Sequence, residues 1–195
     1  MKNIFCTILL SLIMLPYCSV AQNSVNSNSI NQVTKDSRGN DMLIGKCTKD
    51  ALMTAPFNAW YTSNYDAYKV DSFTCTYIKP LLADKSITIF MGTWCGDSQR
   101  EVPRILKMLE CCGFPQDMLT LIMVSNKPEE LKQSPQHEEQ GKNIVRVPTV
   151  IIEEKGAEVG RIIEYPVVSL EKDLLAILSK GNYTPNYHSP KTTGR

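Results

Sequence analysis

Gly92-Thr93-Trp94-Cys95-Gly96-Asp97-Ser98 is the stretch on which the reading of this chain turns. It follows an apolar run, Ile87 to Met91, that has the length of a buried strand. It opens a segment in which Val102, Ile105, Leu106 and Leu109 recur on one helical face, and Gly113 stands where that helix would stop. Cys95 therefore occupies a strand-to-helix junction. A helix N-terminus carries free backbone N–H groups and about half a unit of positive charge, and both favour a thiolate over a thiol. Since the thiolate is the nucleophile, a cysteine in that place is suited to thiol chemistry. Ser98, three residues on, is positioned to donate its hydroxyl to the sulfur, whereas the Asp97 carboxylate opposes a second negative charge nearby. The competing reading is a buried, inert thiol, but Trp94 and Gly96 flank Cys95 as they would an exposed site.

Beyond that helix, Leu119 to Val124 predicts a second buried strand, followed by a polar connection through Pro128 and Pro135 with room for one short helix. Val147-Pro148-Thr149 then opens a strand through Ile152, Lys155-Gly156 makes a turn, and Val159 to Ile163 forms the next strand. A last helix is expected from Ser169 to about Lys180, with Leu170, Leu174, Ile177 and Leu178 inward. The order is β-α-β, connection, β-β-α, which is an α/β pattern.

Four features then coincide in the right order: Trp94 before Cys95, Gly96 after it, Pro103 eight residues further on inside the helix, and Val147-Pro148-Thr149 opening the third strand. Over residues 86–180 the chain resembles the thioredoxin family, and within it the exported thioredoxin-like proteins of Bacteroidetes. The resemblance implies a thioredoxin fold, a central mixed sheet flanked by helices, here with an N-terminal helical extension. It further implies a cis peptide at Pro148 that brings the Val147 backbone against Cys95 and offers it to an extended client strand. Cys95 and Ser98 are then the catalytic pair, and Trp94, Gly96, Asp97, Val147 and Pro148 line the client groove. Arg146, two residues before Pro148, is either a client-facing cation or one half of a surface ion pair. Glu164 falls on a loop that borders the same groove in the family, and is either part of it or a solvated carboxylate.

The chain departs from the dithiol members at two positions. Ser98 stands where they carry the second cysteine, the one that resolves the mixed disulfide, and Ile89 stands where they bury a carboxylate six residues before the first cysteine. The expected function is thiol–disulfide exchange in the cell envelope through a single nucleophilic cysteine, with protein thiols or disulfides as partners. Two alternatives remain: a non-catalytic binding module for extended peptides, and an accessory domain that docks through its aromatic extension. A peroxidatic site is disfavoured because Gly92, not Ser or Thr, stands three residues before Cys95.

Outside residues 85–181, taken as the main domain, the chain divides by composition. Lys2 followed by an apolar run from Ile4 to Leu15 and by Ser19-Val20-Ala21 reads as a signal peptide over 1–21, too short to span a bilayer, and implies export to the periplasm. Lipid attachment at Cys18 is the alternative. Cleavage after Ala21 removes Lys2 and takes the formal charge from +1 to 0, so nothing favours nucleic acid as a partner. Residues 22–40, rich in Ser, Asn and Gln, read as a disordered linker, and 182–195 as a disordered tail. Between them, 41–84 carries Trp60, Tyr61, Tyr65, Tyr68 and Phe73 at mostly helical spacings, as core or as a ligand groove. Cys47, Cys75, Cys95, Cys111 and Cys112 remain after cleavage, an odd number for an oxidising compartment. Cys111 and Cys112 lie about 24 Å along the helix from Cys95, beyond disulfide reach. Cys47 and Cys75 are free to pair with each other or to resolve Cys95. His137 and His188 have no ligand spacing around them, and neither a metal nor a cofactor is expected.

Overall fold

Strand β3 (Lys85–Met91) is flanked on one side by β4 (Leu119–Met123), parallel to it, and on the other by β5 (Thr149–Glu154), antiparallel. The parallel pair needs a crossover, and helix α4 (Gly96–Cys111) supplies it. Antiparallel β6 (Ala157–Ile163) follows β5 through the Lys155-Gly156 turn, where both residues have positive φ. The computed structural model describes residues 30–187 and adds two strands at the other edge, β1 (Gln32–Lys35) and β2 (Asp41–Cys47). The result is a mixed six-stranded sheet in the order β1-β2-β4-β3-β5-β6.

Alternation along the central strands divides the core between the two sheet faces. Ile87, Ile89, Met91, Leu121, Met123, Val150 and Ile152 point to one face, where Val102, Ile105, Leu106 and Leu109 of α4 meet them. Phe90, Ile122, Val124 and Ile151 point to the other, which is covered by Val147, Trp94 and Ile144. Helices α1 (Lys49–Leu52), α2 (Asn58–Ala67), α3 (Ser72–Ile78) and α5 (Leu170–Leu178) all join the first face. Ser169 caps α5 by accepting the Lys172 N–H at 3.2 Å, and Gly113, at φ 72, closes α4 while Phe114 N returns to Leu109 O at 2.9 Å. The connection expected to hold a short helix contains a 3₁₀ turn, Pro128–Glu130.

Two expected boundaries are corrected. The linker read over 22–40 and the helical extension read over 41–84 contain a β-hairpin, β1 and β2, whose turn is built by Asp36. The Asp36 carboxylate accepts the N–H groups of Arg38 and Asn40, both at 2.8 Å, with Gly39 at φ 85. β1 is an edge strand with half its side chains in water, so polar composition does not disqualify it, and β2 is buried on both faces and so shows no alternation. The remainder of the extension is helical as expected. Its aromatics divide: Tyr61 is buried and stacks on Tyr65 at 5.8 Å, whereas Phe73 is 69% exposed.

The second correction concerns 182–187, read as part of a disordered tail. Tyr183 packs on the main core and its hydroxyl reaches Asp173 Oδ2 at 3.4 Å, and the Asn186 amide donates to Tyr165 O at 2.9 Å. Two tyrosines spaced by a proline-containing turn give this segment apolar anchors that its average composition conceals. The signal peptide over 1–21, linker residues 22–29, Cys6, Cys18, His188 and tail residues 188–195 lie outside the described residues. Among the described residues no helix is long and apolar enough to cross a membrane.

Candidate functional site

Cys95 is the N-cap of α4, in extended conformation at φ −96 and ψ 123, and is half-buried. Its N–H donates to Gly92 O at 3.0 Å and its carbonyl accepts the Gln99 N–H at 2.9 Å, so the residue is held from both sides of the junction. The thiol donates to Val147 O at 3.3 Å, across the Val147–Pro148 peptide, which is cis. The strand-end loop and the proline loop, 52 residues apart in sequence, thus meet at one sulfur.

Gly92 explains how Trp94 fits beside that sulfur. An added Cβ at Gly92 would lie 2.4 Å from the indole, which folds back over the glycine and donates from Nε1 to Val124 O at 2.8 Å. Thr93 turns inward, its hydroxyl accepting the Leu43 N–H at 3.2 Å, and its carbonyl receives the Gln99 side-chain amide at 2.7 Å. β2 therefore buttresses the motif, a contact invisible when 41–84 is read as a helical extension. Ser98 is fully buried, and its hydroxyl accepts the Gly92 N–H at 3.3 Å, so it stabilises the turn while the sulfur's own bond goes to Val147. Asp97 pairs with Arg100 Nη2 at 2.8 Å, and the same guanidinium reaches buried Glu101 at 2.6 Å from Nε. The Asp97 charge expected to oppose a thiolate is thus partly neutralised along the helix. Gly96 is exposed, with open space around it.

The proline loop carries the second half of the site. Pro148 O accepts the Glu164 N–H at 2.7 Å, with Glu164 at φ 65, which ties the loop after β6 to the loop before β5. Arg146, exposed, faces the Glu164 carboxylate at 3.6 Å and lies over the Tyr187 ring at 4.7 Å. Of the two sequence readings of Arg146, the structure shows the ion pair, on the loops beside Cys95. Tyr187 was not legible as a site neighbour, because its place depends on the docked C-terminal segment; its hydrogen bond to Glu164 and then that to Tyr165 raise its phenol above the usual range. Val145, Tyr165, Val167 and Val168, all exposed, flank these joined loops as an apolar rim.

Among the described residues, the other cysteines do not reach this site from their elements. Cys47 lies on β2, and burial pushes its thiol up to about 12. Cys75, Cys111 and Cys112 gather at the far end of α4. Of the five, Cys111 is exposed, Cys95 intermediate and the other three buried. At pH 8 only ~10⁻⁴ of a thiol with a pKa near 12 is thiolate, so Cys47 is expected to resist alkylation entirely until the protein unfolds. A short iodoacetamide pulse followed by peptide mapping checks this: labelling is expected at Cys95 and Cys111 in the native protein, and at Cys47, Cys75 and Cys112 only in denaturant.

No protein-family model and no curated protein sequence matches the chain. Among solved structures it is similar to a crystal structure of a protein of unknown function from Pseudomonas aeruginosa, at 13% identity and a TM-score of 0.48, over 65% of this chain and 86% of that one.

Proposed function

We propose that this chain has a thioredoxin fold and acts as a thiol–disulfide exchange protein of the cell envelope, with Cys95 as its one nucleophile at the client groove. The observation that carries the reading is the 3.3 Å contact from Cys95 Sγ to the carbonyl that precedes cis Pro148, at the head of a helix that joins two parallel strands. Supporting it are the antiparallel β5–β6 pair and closing helix α5, which complete the arrangement expected of that family.

An extended client laid beside the proline loop offers a backbone N–H to Val147 O. That bond replaces the one the thiol now makes, and the sulfur is released to lose its proton to solvent and attack. The Cys95 thiolate attacks one sulfur of the client disulfide, the client S–S bond breaks, a Cys95–client disulfide forms, and the second client sulfur departs as a thiolate that takes up a proton. Release follows when an external thiolate attacks the client's sulfur in the mixed disulfide and Cys95 leaves as the thiolate. Val145, Tyr165, Val167 and Val168 favour clients with apolar side chains on either side of their cysteine.

The experiment is exchange with a model peptide disulfide that has apolar flanks. Wild-type protein is expected to accumulate a mixed disulfide at Cys95, seen by mass, and to show Cys95 as the fastest alkylating thiol. Cys95→Ala is expected to abolish the adduct. A protein that binds the peptide with Cys95 unreactive would instead be a binding module, the reading that buried Ser98 at the resolving position favours.

A further inference from the structure

Between Ile163 at the end of β6 and Ser169 at the start of α5 the chain has neither strand nor helix to hold it, yet every backbone donor of residues 164–168 is taken. The Glu164 N–H goes to Pro148 O at 2.7 Å and the Tyr165 N–H to Ile163 O at 2.8 Å. Pro166 has none to offer. The Val167 N–H donates to Asp173 Oδ2 at 2.6 Å, and the Val168 N–H to Asp173 Oδ1 at 3.1 Å. Asp173 belongs to the first turn of α5, is 2% exposed, and has its own N–H held by Ser169 O at 2.9 Å. Its carboxylate therefore reaches back past the start of the helix and takes one N–H on each oxygen. With the donors turned inward, Tyr165, Val167 and Val168 are left 41%, 50% and 69% exposed. Apolar side chains on a fully bonded backbone are displayed in fixed places, as a recognition surface requires.

From this geometry we infer that Asp173 is a positioning residue for client recognition. By clamping the amides of Val167 and Val168 it fixes the apolar rim beside the cis-proline loop, and so sets the preference for clients with apolar side chains next to their cysteine. The inference rests on the exchange function proposed for the Cys95 groove. Asp173 lies behind the rim and acts through it.

The clamp needs a carboxylate. Asp173 as a carboxylate is acceptor-only and serves both amides, whereas asparagine keeps one acceptor oxygen and turns an NH₂ toward the second donor. Asp173→Asn therefore changes almost no volume but drives one of the two valine amides off its partner. A third bond, from the Tyr183 hydroxyl to Oδ2 at 3.4 Å, ties the C-terminal segment to the same carboxylate, and Tyr183→Phe removes it while leaving the clamp.

The first arm of the test needs no chemistry at Cys95. On full-length Cys95→Ala protein, fluorescence anisotropy compares two tagged extended peptides, one with valine and one with serine on both sides of a central serine. The valine peptide is expected to bind about tenfold tighter, from the apolar area it buries on the rim. Asp173→Asn in that background is expected to erase the difference by weakening the valine peptide alone, and Tyr183→Phe to preserve it. Val168→Ser, which keeps the backbone donor and trims the rim, is expected to lose the preference as well. Hydrogen exchange is expected to quicken over residues 165–168 in Asp173→Asn while the central strands stay protected, which shows that the variant is folded. The second arm restores Cys95 and uses the matching peptide disulfides: Asp173→Asn is expected to raise KM for the valine peptide about tenfold with kcat held, a split that general loss of stability would not produce. Equal binding of the two peptides by Cys95→Ala protein, or a preference that survives Asp173→Asn or Val168→Ser, would overturn the assignment. So would loss of the preference in Tyr183→Phe, which would place the effect in the C-terminal segment. A preference that responds to Asp173→Asn in a protein that shows no exchange would leave Asp173 its role and remove the exchange function instead.

Discussion

Ser98→Cys is expected to raise turnover on a protein disulfide by about a hundredfold over wild type with the same reductant. The introduced sulfur stands three residues from Cys95 on the first turn of α4, where residues at that spacing are neighbours. It would attack the Cys95–client bond intramolecularly, in place of an external thiol at millimolar concentration, and effective molarities for well-oriented groups lie far above that. Loss of the Ser98–Gly92 hydrogen bond costs about 1 kcal/mol, small against the kinetic gain. Ile89 is buried, and on the proposed thioredoxin reading it replaces a carboxylate, so the variant is expected to stay below a full dithiol enzyme. Steady-state reduction of an insulin-type substrate measures the rate, and intact mass shows the disulfide between Cys95 and the introduced thiol as a loss of two hydrogens. If that disulfide forms and turnover stays at the wild-type level, the groove does not admit protein clients.

Gly92→Ala is expected to lower stability by about 3 kcal/mol, the upper end for an overpacked site. The added methyl has an indole carbon 2.4 Å away, and the ring cannot retreat without breaking its bond to Val124 O. For a chain of this size that corresponds to a fall in melting temperature of roughly 6–12 °C. Gly96→Ala is the matched control: it too changes a glycine of the motif, but nothing lies within 4 Å of the new Cβ. Alanine in the first turn of a helix is favoured over glycine by up to about 1 kcal/mol, so this variant is expected to melt at or slightly above the wild-type temperature. Calorimetry on the two proteins separates a steric requirement for glycine from a conformational one.

The motif helix, the strands around it and the closing helix were legible because each is long and strongly periodic, and Val147-Pro148 was legible as the partner of Cys95 through the resemblance. What escaped depends on how a turn closes or how segments dock. Asp36 and Gly39 signal a hairpin turn, yet β1 is polar and short, and its pairing with β2 becomes favourable only once β2 lies against β4. Ser98 looked like a donor to the sulfur from spacing alone, but the folded turn presents it to the Gly92 amide. Tyr187 lies beside Arg146 only because Tyr183 and Asn186 first anchor the segment. The inward-facing side chains of the long helices could be placed from their spacing, and those fixed by turn closure or by the docking of a terminal segment could not.

The position of β2 also decides how this chain can be divided. Patterning invites a fragment that starts at residue 85, with the earlier residues discarded as an appendage. Such a fragment would strip β4 of the partner that meets it at Gly45↔Met123, Lys46↔Ile122 and Cys47↔Leu121, and leave a buried strand as a raw sheet margin. It would also remove Leu52, Phe57, Tyr61 and Ile78 from above α4 and α5, uncovering their oily sides. An unpaired apolar edge recruits strands from other molecules. Minimal expression units of this protein are therefore expected to self-associate or fall out of solution, and those that begin before Gln32 to run as a discrete species on gel filtration.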